Sequence, residues 1–358
     1  MNNGMNEGGA GRRVASPVVP GTIMLLSAVL SAFGTAKGNV LMGLLLMMAS
    51  AAMLALLICM RASLICCILC PVAVVTGSVI ITVMGGGLDS VIVFCAFVAV
   101  GGVLALCTVK KSDRTGTVIA MSASFALMLL IALIAEYFMS GGVFSAEGVK
   151  AFAEGKINVI RTAISDMVNA YAETLKGMGQ TVDKSDVKEL AKTLADSFIM
   201  LMPGLMIAFL QIFCYFVTCI FTFSARKARC EVIIPSPRWE LYPTMVTVII
   251  YAVSIVLFGI TYIFASASSS GSVVNIVAYN LVLITSPVFA ATGVGMLAEK
   301  KSPMVYGRRG MFIFMFVILL VFAPQITYTM VSIFGAVAVF IKRRAESLPK
   351  NDDDNGMM

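Results

Sequence analysis

Histidine is absent from the whole 358-residue chain. That removes imidazole bases, imidazole metal ligands and the one side chain whose charge ordinarily switches near neutral pH. Charge of either sign is scarce, with Asp, Glu, Lys and Arg at 13% of residues against about 25% in soluble domains. No GxxxxGK[ST] phosphate loop occurs, so any ATP-driven activity needs a separate ATPase. Nine cysteines are present, none of them in the long polar stretch 140–196, which argues against a disulfide scaffold. Cys66-Cys67-Ile-Leu-Cys70 has neither His nor acid nearby, so its thiols read as small packing residues. No metal or other cofactor is expected.

What fills the chain instead is apolar: 59% of residues are hydrophobic and the mean hydropathy is +0.96. Apolar segments of membrane-spanning length start at Val18, Asn39, Ser63, Leu88, Gly116, Phe198, Leu241 and Val273, and a last stretch runs from Gly310 to Ile341. The expected fold is an all-α polytopic membrane protein of about nine or ten transmembrane segments. The net charge of +7 does not form one aqueous face, which argues against a nucleic-acid partner. Outside the polar insertion, Lys and Arg fall almost entirely in alternate short loops: Arg61; Lys110, Lys111 and Arg114; Arg226, Lys227 and Arg229; Lys300, Lys301, Arg308 and Arg309; and Lys342 to Arg344. Short basic loops are retained in the cytoplasm, which orients the chain with a cytoplasmic N-terminus in a cell membrane.

The expected organisation is therefore a disordered N-terminus 1–16, membrane helices 17–139, an extracytoplasmic amphipathic helical insertion 140–196, further membrane helices 197–341 and a polar tail 342–358. Arg12 and Arg13 before the first apolar run, with Gly34-Thr-Ala36 after it, also suit a cleaved signal peptide. The next helix follows almost at once, which favours an uncleaved first crossing. Within the insertion, Ile157, Ile160, Ile164, Met167, Tyr171, Leu175 and Met178 recur at three- and four-residue steps, predicting one apolar helical face. Such a face lies on the membrane or on the bundle, or acts as a lid.

No ionisable residue stands near the middle of an apolar segment, which argues against coupling through a buried acid. No acid pair or Ser-Lys dyad sits at membrane depth, so no enzyme activity is expected. The polar content of the late helices is neutral: Asn275, Tyr279, Asn280, Thr285 and Ser286 before Pro287, then Gln325 and Thr327 after Pro324. Prolines free backbone carbonyls, and with amides and hydroxyls these suit a small neutral or zwitterionic solute. The competing reading is hydrogen bonding between helices, at about 0.6 kcal/mol each. Ala28 and Ala32, Ala51 and Ala55, and Ala291 and Gly295 are spaced four apart, as at close helix contacts. Trp239 suits an interfacial anchor.

Pro203 early in a long apolar helix, the basic run ending at Arg229, and Pro235-x-Pro237-x-Trp239-x-x-x-Pro243 together resemble the YybS-like family of uncharacterised bacterial multi-pass membrane proteins. The resemblance continues through Gly293-Val-Gly-Met-Leu297 to the closing Lys-Arg-Arg. It implies a more distant, fold-level similarity to the substrate-binding subunits of energy-coupling-factor vitamin transporters. On that similarity, Ala28 and Ala32 form a partner interface and other membrane or ATPase subunits join the chain in the bilayer. Two functions stay open: binding or passing a small solute as a membrane subunit, or serving as a non-transporting envelope scaffold through the insertion or the Trp239 loop.

Charge also predicts the fate of the C-terminus. One straight helix over 310–341 would be about 48 Å long against a hydrocarbon core of about 30 Å, and would carry Lys342 to Arg344 outside. The expected path is a hairpin bent at Ala323-Pro324-Gln325. A reporter fused after Lys350 should show green fluorescence without alkaline phosphatase activity; the reverse would mean a single crossing.

Overall fold

The computed structural model describes residues 16–143, 145–178, 183–228, 241, 243–265, 273–298 and 324–347. Among them are ten helices and no strands: α1 Val18–Ala36, α2 Val40–Cys59, α3 Ser63–Val83, α4 Leu88–Val109, α5 Arg114–Met139, α6 Ala146–Gly177, α7 Lys184–Lys227, α8 Met245–Ala265, α9 Val273–Ala298 and α10 Pro324–Ser347. Seven of these, α1 to α5, α7 and α9, are long and apolar enough to cross a membrane. The Trp239 loop, the turn 266–272 and the first arm of the expected C-terminal hairpin, 310–323, lie outside the described residues.

Lipid-facing sides are evident on single helices. On α3, Leu64, Ile68, Val72, Val75, Val79 and Val83 recur every three or four residues and all are exposed. A continuous apolar stripe of this length calls for hydrocarbon around it rather than water.

The chain divides into two compact units, residues 1–133 with 213–237, and residues 134–212 with 238–358. In the first, α2 is central and packs against α1 and α4. Its Ala51 and Ala55 are fully buried. Small residues permit this: a Cβ on Gly101 of α4 would stand 2.7 Å from the Ala51 carbonyl oxygen. Buried hydroxyls fasten α1 to α2, with Ser27 Oγ 2.8 Å from Ser50 Oγ and Ser31 Oγ donating to the Gly43 carbonyl at 2.7 Å. Ala28 and Ala32 are buried inside this unit. Burial of both on one helix face accords with the close helix contacts that their four-residue spacing suggested.

Five helices end in the same way. The amide of Gly38 bonds to the Thr35 carbonyl and that of Asn39 to the Gly34 carbonyl. The same pair of bonds closes α2 at Arg61 and Ala62, α3 at Gly85 and Gly86, α4 at Lys111 and Ser112, and α5 at Gly141 and Gly142. The first residue of each pair has positive φ, between 55° and 87°. This is the Schellman closure, which satisfies carbonyls that the helix leaves orphaned. Glycine takes the strained position at alternate ends, and Arg61 or Lys111 takes it at the others. A side chain there costs roughly 1–2 kcal/mol, partly offset by a cation at the negative end of the helix dipole.

In the second unit α9 packs against α8 and α10. Val248, Tyr251, Phe289, Ala336 and Val339 form its core, with the Tyr251 and Phe289 rings 4.7 Å apart. The backbones of α9 and α10 nearly touch: a Cβ on Gly335 would collide with the Phe289 carbonyl oxygen and stand 2.8 Å from the Gly293 nitrogen. Thr292 Oγ1 donates to the Leu241 carbonyl at 2.8 Å, and Arg343 reaches the Pro243 carbonyl at 3.5 Å. The C-terminal parts of α9 and α10 thus both lie where α8 begins.

Two expectations change in detail. The boundary placed between 196 and 197 falls inside α7, which runs unbroken for 44 residues, about 66 Å. The amphipathic segment passes straight into the apolar helix because no Gly or Pro interrupts 184–202. On α6, Ile157, Ile160 and Ile164 are partly buried, but the line continues through the buried Val168 and Ala172. Met167, Tyr171 and Met178 are exposed. The apolar arc is wider than the contact, and the contact follows four-residue steps.

Gly335→Ala should destabilise the protein by about 1–3 kcal/mol, because both obstructing groups are backbone. Gly259→Ala, where a Cβ meets nothing within 4 Å, should be neutral or stabilising. Thermal unfolding of the two variants in detergent checks the difference.

Candidate functional site

Within the second unit a cavity of about 1060 Å³ opens between α7, α8, α9 and α10. Asn275, Tyr279 and Ser286 from α9 line it, as do Asp196 of α7, Tyr251 of α8 and Tyr328 of α10. Its volume is at the upper end of the range for small-molecule sites. Deep in the wall, the Ser286 and Tyr328 hydroxyls are 2.9 Å apart. Ser332 Oγ donates to the carbonyls of Tyr328 at 2.9 Å and Ser286 at 3.3 Å. Pro287 has no amide to offer the Leu283 carbonyl, and Ser286 Oγ donates to that carbonyl at 3.3 Å. The proline and its neighbouring serine thus place backbone and side-chain polar groups together in the cavity wall.

The residues singled out from the sequence separate into two groups. Asn275, Tyr279 and Ser286 face the cavity. Asn280, although only one residue from Tyr279, turns to α7: its Oδ1 accepts from the Gly204 amide at 2.8 Å, and its Nδ2 donates to the Met200 carbonyl at 3.1 Å. Those two groups are the i, i−4 partners of the turn that contains Pro203, so the carboxamide reinforces the ladder beside its weakest point. Gly204 makes the approach possible, because a Cβ there would sit 2.5 Å from Asn280 Oδ1. Thr285 is buried and bonds back to the Leu281 carbonyl at 2.7 Å. Thr327 is buried as well. Gln325 lies in the first turn of α10, and its side chain, like Trp239, is outside the described residues.

Sequence reading passed over Asp196 and Tyr251; Tyr328 belonged to the polar run after Pro324. Asp196 counted as part of the polar insertion, yet on α7 it shares a cavity-facing side with Thr193, Ser197 and Met200. The three- and four-residue spacing of these positions was the available signal. Asp196 also forms an ion pair with Arg161 of α6, Nη2 to Oδ1 3.0 Å. A second pair, Lys156 with Glu136, and the edge-on contact of Tyr137 with Phe152 at 5.3 Å, join α6 to the end of α5.

Residues 26–337 match the family described as Predicted membrane protein (DUF2232). The chain belongs to this family. The match spans most of the chain and accords with the uncharacterised multi-pass membrane proteins that its loop and helix residues resemble. No curated protein and no solved structure matches, so the similarity to energy-coupling-factor subunits gains no support here.

The separation of Asn280 from its neighbours makes a stability prediction. Asn280→Ala should lower stability by about 1–2 kcal/mol, near the upper end for polar contacts between membrane helices. Asn275→Ala should cost less. Thermal unfolding in one detergent compares them.

Proposed function

We propose that the chain is a non-enzymatic membrane protein that binds a small solute in the second-unit cavity and serves as the membrane subunit of a transport system. The cavity carries this reading: hydroxyl and amide side chains converge on a space of drug-like volume amid apolar helices. In the orientation set by the basic loops, the N-terminus is cytoplasmic and α6 is extracytoplasmic, close to the Asp196 end of the cavity. Energy for transport would come from a separate subunit. A scaffold role is the second reading, and the exposed Met167, Tyr171 and Met178 on α6 favour it.

A panel of metabolites tested against the purified protein in lipid nanodiscs separates the two. A true ligand at 100 times its Kd should stabilise the fold by about 2.7 kcal/mol, and Tyr279→Ala should reduce the effect. A blank panel together with recovery of envelope-assembly proteins after mild solubilisation would favour the scaffold. Cysteines placed at Lys150 and Lys188, both exposed, should react with an impermeant maleimide in whole cells. Protection of both until lysis would reverse the orientation.

A further inference from the structure

The cavity wall has an unusual balance of charge and rings. Among the described residues that line it, Asp196 is the single formally charged side chain, and no Lys or Arg is present. Four aromatic residues from three helices share the wall: Tyr251 and Phe258 of α8, Tyr279 of α9 and Tyr328 of α10. The Phe258 and Tyr279 rings stack at 5.0 Å. Aromatic faces attract cations through their quadrupole, most strongly where water is excluded. A carboxylate at one end of a cavity whose wall also carries four rings offers the two kinds of group that recognise an organic ammonium ion. Among the described lining residues, an anion would meet Asp196 with no basic side chain beside it in the wall.

Asp196 already holds a cation that belongs to the protein. Arg161 reaches it from α6 and is not itself part of the wall. Side-chain exposure in this pair is 53% for Arg161 and 36% for Asp196. An ion pair that open to solvent is held weakly and exchanges partners easily. A cation entering the cavity thus meets a carboxylate whose present partner is weakly held.

We propose that the cavity takes an organic monocation, an ammonium group on an apolar body, with Asp196 as its counter-ion and Arg161 as a built-in competitor for that carboxylate. The proposal rests on the solute-binding reading above and narrows it to one ligand class.

The test uses calorimetry on the full chain in nanodiscs with three probes: choline, its uncharged isostere 3,3-dimethylbutan-1-ol, and benzyltrimethylammonium. Choline should bind about tenfold more tightly than the isostere, and benzyltrimethylammonium more tightly still. Asp196→Asn should erase the preference for charge, while Asp196→Glu retains it and shows that the fold survives substitution there. Arg161→Gln should tighten choline severalfold, which loss of a merely structural contact would not do. Equal binding of choline and its isostere, a preference that survives Asp196→Asn, or weaker choline binding by Arg161→Gln would each overturn the inference and leave the cavity as a site for uncharged solutes. Absence of heat from all three probes would overturn it as well, and the metabolite panel would then judge the cavity reading independently.

Discussion

Hydrocarbon offers no hydrogen-bond partner, so every backbone amide and carbonyl at membrane depth must find one within the protein. Helices meet this demand except at their ends and at prolines, and in the second unit several polar side chains stand beside prolines. Asn280 clasps the turn of α7 next to Pro203, and Ser286 covers the carbonyl that Pro287 leaves in α9. Much of the apparent polarity of the late helices is thus spent on their own ladders. The groups beyond that need, among them Tyr279, Tyr251 and Asp196, give the cavity its character.

The same demand shapes the turns. Five helix ends share one closure, and the residue in the left-handed position alternates between glycine and a basic side chain. Glycine adopts that conformation freely. Arg61 and Lys111 do not, but there they place positive charge at the negative ends of the helix dipoles. Backbone closure and charge complementary to the dipole are carried by one residue in each of these turns.

Most of the architecture was legible because membrane helices announce themselves by length and hydropathy. The start of α4 at Leu88 and the end of α5 at Met139 follow from glycine-rich turns and flanking charge. The continuity of α7 was legible only in part: Val187, Leu190 and Leu194 carry the helical pattern towards the membrane segment, but a polar segment followed by an apolar one looks like a boundary, although nothing at Asp196 or Ser197 breaks a helix. In the site, Asn275, Tyr279 and Ser286 could be picked from a polar cluster in an apolar helix. Asn280 could not be told apart from them, since its 100° rotation from Tyr279 acquires meaning only once α7 is in place. Asp196 was hidden among the charges of the insertion, and Tyr251 looked like ordinary aromatic packing. Face and depth are properties of the assembled bundle, and neither is written in the local pattern.

Arg114 carries a consequence for how the chain is made. It opens α5, is buried, and donates to Cys219 Sγ at 3.3 Å across a separation of 105 residues, with its guanidinium 5.2 Å from the centre of the Tyr215 ring. Synthesis at about 5–20 residues per second puts roughly 5–20 s between the appearance of Arg114 and that of its partners. Throughout that interval these two partners are missing, and lipid headgroups, water or the translocation machinery stand in for them. The first four helices therefore enter the membrane around an unfinished site, and the first unit closes only when the second half of α7 emerges from the ribosome.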